Sequence, residues 1–146
     1  MKHLVLVLLS LPLMGDDIAK KKFEETKAKA EKGDVAAQTD LGNMYYNGEG
    51  LLQDHEKAVA WFRKAAEQGF ANGQHRLGVM YAFGKGMRIN FVTAYAWANI
   101  ASFNGDRRAS RFKSEFLDVN MAADKIAEGL KLSHEMLKKN LKLISD

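Results

Sequence analysis

Three glycines, Gly33, Gly69 and Gly105, stand 36 residues apart and mark a duplication that limits what this chain can fold into. Sliding residues 30–73 onto 66–109 gives 15 identities in 44 positions, against about 3 expected from ordinary composition. The identities are grouped. Ala30-Glu31-x-Gly33 returns as Ala66-Glu67-x-Gly69; Gln38, Leu41-Gly42, Met44-Tyr45, Gly48 and Gly50 return as Gln74, Leu77-Gly78, Met80-Tyr81, Gly84 and Gly86. Ala58, Ala60-Trp61 and Ala65 return as Ala94, Ala96-Trp97 and Ala101. A unit this short cannot bury its own apolar face, so copies must stack and share a core.

Each unit reads as two helices. Ala37, Leu41, Met44 and Tyr45 fall on one face of a 3.6-residue period. Gly48 and Gly50 then stop the helix, because glycine tolerates the left-handed conformation common at helix ends. The second helix starts after Asp54 or Asn90, whose side-chain oxygens can accept from free backbone N–H groups. Its apolar positions are Ala58, Trp61, Phe62 and Ala65 in one unit and Ala94, Trp97 and Ala101 in the next. Gly42 and Gly78 lie mid-helix at a cost of about 1 kcal/mol each relative to alanine, which close helix packing would offset. With a single proline, Pro12, the 134 residues that follow lack the strongest helix breaker.

The pattern Ala-Glu-x-Gly, Ala-x-x-Leu-Gly-x-Met-Tyr, Gly-x-Gly and Ala-x-x-Trp-x-x-x-Ala resembles the Sel-1-like repeat, a relative of the tetratricopeptide repeat, over residues 30–109. Two departures stand out: Gly73 replaces Ala37, and Ala98 replaces Phe62. The resemblance implies an all-α fold, a short right-handed α-solenoid of stacked antiparallel helix pairs with terminal capping helices. The expected division is a signal peptide at 1–15, an N-terminal capping helix at 16–32, repeats at 33–68 and 69–105, and C-terminal capping helices at 106–146.

The flanks agree with capping. Ile18, Phe23 and Ala30 are sparse apolar points in a segment rich in lysine and glutamate. Phe112, Phe116 and Leu117 have helical spacing, and Asn120 is expected to N-cap a helix over 121–143 with a seam of Ile126, Leu130, Leu137, Leu141 and Ile144. At the other end, Lys2 and His3 precede an apolar run over 4–14 broken only by Ser10 and Pro12. Eleven helical residues span roughly 16 Å, half a bilayer core, which suits a secretory signal cut near Gly15 rather than a membrane span. A periplasmic or secreted location is therefore expected.

Chemistry is nearly absent from the sequence. There is no cysteine, which removes thiolate zinc sites, disulfides and thiol nucleophiles. His55, His75 and His134 fall in separate units, and Lys138 stands where a second histidine would complete a zinc motif begun by His134-Glu135. Gly48-x-Gly50 and Gly84-x-Gly86 lack the third glycine of a dinucleotide loop, and Ser102, Ser110 and Ser114 have no assignable partner. No catalytic residue, metal or cofactor is expected. The net charge of +4, or +3 without Lys2, is too small to suggest nucleic acid.

Binding residues should be those that packing does not dictate. With Leu41 at zero and 100 degrees per residue, Thr39, Asn43, Tyr46 and Asn47 lie on the opposite arc, as do His75, Val79, Ala82 and Phe83 one unit later. This arc commonly lines the ligand surface of stacked helix pairs. Thr39, Asn43, Tyr46, Asn47, His75, Val79 and Phe83 are the candidate partner-binding residues, with Phe83 either exposed or covered by a flanking helix. Arg107, Arg108, Arg111 and Lys113 form a basic cluster, either a solvated face or a docking patch for an acidic partner, anionic lipid or polysaccharide. Two functions follow. One is an adaptor or scaffold binding an unnamed protein or peptide, which the family resemblance also implies. The other is a cell-wall-related enzyme that binds or hydrolyses β-lactams, as some exported relatives are linked to penicillin binding.

Overall fold

A computed structural model describes residues 14–145; the expected signal segment lies almost entirely outside the described residues. Among these residues there are helices and turns but no strand. Helix α1 (Met14–Glu31) precedes two helix pairs, α2 (Val35–Asn47) with α3 (His55–Glu67) and α4 (Ala71–Phe83) with α5 (Phe91–Phe103). Then come α6 (Arg107–Phe112), a π-helical turn (Lys113–Leu117), one further helical turn (Asp118–Asn120), α7 (Ala123–Lys139) and a 3-10 turn (Leu141–Leu143). The chain is an α-solenoid built from antiparallel pairs.

Local chemistry sets these boundaries. Asp54 Oδ1 accepts from Lys57 N at 3.0 Å and Asn90 Oδ1 from Thr93 N at 2.9 Å, and Asp34 caps α2 the same way through Ala37 N. Gly48 and Gly84 stop the first helices at φ +74 and +64, each N–H returning to a methionine carbonyl four residues back. The loops then close identically, Asp54 N on Tyr45 O and Asn90 N on Tyr81 O.

The two units share one apolar core. Phe62, Leu77, Met80, Trp97 and Ile100 are buried together, with Leu143 from the chain's end. Trp61 and Tyr45 are half-buried in a cluster with Leu41, Met44 and Phe23 of α1. At each joint between units a buried glutamine captures a helix-end carbonyl. Gln38 Nε2 donates to Ala30 O at 3.2 Å and its oxygen accepts from Gln68 Nε2 at 3.0 Å. One unit later, Gln74 donates to Ala66 O at 3.1 Å and accepts from Asn104 at 2.8 Å.

The C-terminal region corrects the sequence reading. Asn120 caps nothing ahead of it; its amide donates back to Phe116 O at 2.7 Å. The chain is carried round by the π-helical turn, Met121 is extended (φ −114, ψ 142), and α7 starts at Ala123 without a side-chain cap. Ile126 and Leu137 of the expected seam pack against the core, but the residues that α7 buries outright are Gly129 and Ser133, with Leu130 at the edge, because Gly129 lies directly against the Tyr95 ring of α5. Leu141 and Ile144 do not continue the seam; they are 75% and 40% exposed. The chain leaves the helix instead, and Leu143 inserts into the core at 3% exposure. Its carbonyl accepts from Gln74 at 2.8 Å and from Asn104 at 2.6 Å.

Two predictions follow from this packing. A methyl group at Gly42 would stand 2.5 Å from the buried Phe62 ring, whereas at Gly78 the nearest atom is Ala94 O at 3.2 Å. Gly42→Ala should therefore destabilise by about 1–3 kcal/mol through overpacking, while Gly78→Ala stays within about 1 kcal/mol of the parent because helix propensity offsets the contact. Urea unfolding midpoints distinguish the two. Gln74→Leu strips two buried carbonyls of a donor and should cost about 2–4 kcal/mol, more than Gln38→Leu, which strips one.

Candidate interaction surface

The candidate residues divide between two cavities. Asn43, Tyr46 and Asn47 line a polar one of about 420 Å³ with Asp40, Lys22 of α1 and Arg76 of α4. Tyr46 also stacks on His55 at 4.9 Å between centroids. His75, Val79 and Phe83 line an apolar one of about 530 Å³, closed by Arg108, Arg111, Phe112, Glu115 and Phe116.

Thr39 must be removed from the set. Its side chain is 1% exposed and its hydroxyl donates to Val35 O at 3.2 Å. Helical phase places it opposite Leu41, but that arc is packed at Thr39, where the first helix of the following unit approaches α2. Ala82 is also buried, at 2%, in a cluster with Ala94, Tyr95 and Ala98 of α5 and with Leu117. His75, the counterpart of Thr39, keeps partial exposure because α6 is short and offers it only the edge of Phe112, 6.0 Å away at 76°.

Phe83 meets both of its expected fates. It is 48% exposed, yet its other side touches Phe116 at 5.0 Å and Phe112 at 6.3 Å. Phe112 and Phe116 lie parallel at 5.4 Å and 9°. The π-helical turn begins between them, and such turns recur at functional positions in helices. Phe112 and Phe116 carried only a helical-spacing signal in the sequence; nothing there indicated the π turn.

The basic cluster is not one patch. Arg108 forks onto the buried Asp106 carboxylate at 2.8 Å. Lys113 turns inward, donating to Asn99 Oδ1 at 2.7 Å and lying 5.4 Å above the Tyr95 ring. Arg111 sits 3.8 Å from Glu115. Burial pushes the Asp106 carboxyl up, but the Arg108 fork and the Ala109 N–H outweigh it and hold it below the usual carboxylate value. Tyr95 is pushed up to about 12, first by burial and then by the nearby Asp118 charge.

No group of three or more metal-ligating side chains occurs among the described residues. Nor is any described helix long and apolar enough to cross a membrane. What the geometry offers is a surface. Comparison with known proteins matches residues 35–70 and 71–106 to the model of the Sel1 repeat. This is a Sel1 repeat protein. Its Sel1 repeats are similar to the secretory immunoglobulin A-binding protein EsiB of Escherichia coli O6:H1, 40% identical over 58 residues, which is 40% of this chain and 11% of that one. The fold is similar to the crystal structure of c5321, a protective antigen of uropathogenic Escherichia coli, with a TM-score of 0.77 and 32% identity over 85% of this chain. A Sel1 repeat protein from Oxalobacter formigenes aligns at a TM-score of 0.60 and 38% identity over 62% of this chain. This chain spans 27% and 26% of those two structures' chains, so it corresponds to a short stretch of larger Sel1 arrays.

In the apolar cavity of the second Sel1 repeat, His75 titrates below the ordinary value of 6.5, chiefly because burial penalises its charged form, with Arg108 and Arg76 adding to the effect and Asp106 opposing it. The unfolded chain then binds the proton more readily than the folded one, so stability is full above pH 6.5 and falls as pH drops toward the folded value. A thermal unfolding series from pH 8 to 5 should show Tm declining below about pH 6.5, the ordinary value for histidine. The decline should flatten in His75→Phe, whose ring suits the same apolar neighbours.

Proposed function

We propose that this Sel1 repeat protein is an exported adaptor that holds a partner protein in the cavity lined by His75, Val79, Phe83, Phe112 and Phe116. The observation that carries the reading is the half-exposed Phe83 ring against the Phe112–Phe116 pair, with arginines at the margin. Aromatic and arginine side chains gathered around a partly desolvated pocket are the usual composition of a binding hot spot. An exposed apolar surface has a solvation cost that a partner would remove.

Two further supports come from outside the cavity. EsiB is named for binding secretory immunoglobulin A and c5321 is described as a protective antigen, both consistent with a Sel1 array that meets other proteins outside the cell. The apolar run over 4–14 supplies a route of export. In this reading residues 1–15 are a leader, 16–32 and 106–146 are caps, and 33–68 and 69–105 are the units between them. Asn43, Tyr46 and Asn47 extend the contact into the polar cavity, where hydrogen bonds would fix orientation.

The test uses a partner captured on the full chain from bacterial envelope extract and then purified. Phe83→Asp should weaken its binding at least about tenfold, the scale expected for a hot-spot aromatic. Leu52→Asp, at a position 90% exposed in the loop before α3, should leave it unchanged. Equal binding by the parent and the Phe83 variant, with circular dichroism unaltered, overturns the assignment.

A further inference from the structure

Gln38 and Gln74 occupy the same place one repeat apart, with one difference. Gln74 Nε2 has two hydrogens and gives both away, to Ala66 O at 3.1 Å and to Leu143 O at 2.8 Å. Gln38 Nε2 gives one, to Ala30 O, and finds no second acceptor among the described residues although the residue is only 4% exposed. The acceptor it lacks is the one the chain's own tail provides at the following joint. A buried amide hydrogen without a partner carries a solvation penalty.

The adjoining glycines tell the same story. Gly33 and Gly69 share a left-handed conformation, φ +97 and +87. Gly69 is buried beneath the backbone of Lys142 and Ile144, so closely that any side chain would collide with it. Gly33 is exposed, and a methyl group placed on it would meet nothing within 4 Å. Beside the tail lies a cavity of about 670 Å³ that touches the first joint through Val35 and Gln68 and is otherwise lined by Gly69, Phe70 and the tail's Leu141 and Ile144. The second joint is filled by extended chain; at the first, no described residue lies over the glycine.

The side chains around the two joints differ in kind. At the second, Leu143 shares an apolar cluster with Ile100, and Phe70 stands at the foot of α4. The equivalent positions one unit earlier are Lys64 and Asp34. Asp34 is committed to capping α2 through Ala37 N. Lys64 is exposed above the Trp61 ring, 4.2 Å from its centroid, and makes no ion pair among the described residues. Where the second joint takes a leucine, the first presents an ammonium group.

We propose that the first joint, at Gly33, Gln38 and Gln68, is a second peptide seat that takes an extended segment of a partner protein with an acidic side chain in the place of Leu143. The main-chain carbonyl of that residue accepts from Gln38 Nε2, its carboxylate faces Lys64, and the backbone runs over Gly33 as the tail runs over Gly69. Side chain–backbone capture of an extended peptide is a recurrent recognition mode. The seat is distinct from the aromatic cavity and does not depend on it.

The probe is a synthetic peptide with the sequence of residues 139–146 carrying Leu143→Glu, with a photo-crosslinking residue at the Leu141 position, added to the full chain. Saturable one-to-one binding is expected, with crosslinks to residues 33–38 and to Gln68. Losing a buried donor or the facing charge should weaken it about tenfold, in Gln38→Leu and in Lys64→Glu. Lys64 is on the surface, so that variant remains informative if Gln38→Leu folds poorly. The peptide with its natural leucine should bind more weakly than the glutamate version. Absence of saturable binding, crosslinks confined to 69–74 through exchange with the tail, or full binding by Lys64→Glu would each overturn the proposal.

Discussion

Every joint in this stack ends a helix against its neighbours, where carbonyls lose their intrahelical partners and cannot all reach water. The chain meets that constraint with one residue type. Gln38 and Gln74 sit in the first turns of α2 and α4, buried, and reach eight residues back to Ala30 O and Ala66 O. Their oxygens accept from Gln68 and Asn104 at the ends of the following helices. Each glutamine therefore ties three helices, and a slip in register would leave buried amides and carbonyls unpaired. The burial of Phe62, Leu77 and Trp97 supplies attraction without direction; the amides supply the direction.

Close approach is the second requirement, and small residues meet it. Gly42 lies against Phe62, Gly73 against Ala65, and Gly129 against Tyr95. The mid-helix glycines look like defects by propensity alone. They are the positions where an aromatic ring or a neighbouring helix occupies the volume of a methyl group.

The two cavities follow from how the array stops. In the first unit Thr39 is buried, with the first helix of the next unit nearby. The second unit is followed by the short α6 and a π-helical turn rather than a full pair. His75, Val79 and Phe83 thus stay partly open, and Phe112 and Phe116 are turned toward them. An open apolar cavity arises where repetition fails. The tail does the opposite at the second joint, filling a place that no described residue fills at the first.

The repeat length, the helix pairs, the caps at Asp54 and Asn90 and the stops at Gly48 and Gly84 were all legible in the sequence, because each rests on contacts within a few residues along the chain. Part of the shared core, including Phe62, Leu77, Met80 and Trp97, was legible for the same reason: a 3.6-residue period fixes which side chains lie together. The end of the α7 seam beyond Leu137, the role of Asn120, the burial of Thr39 and the pairing of Arg108 and Lys113 were not. They depend on which surface lies opposite, as the contact between Gln74 and Leu143, 69 positions apart in sequence, illustrates. Local chemistry determined the units and their order; only the folded stack decided which of their faces were covered and which were left for something else.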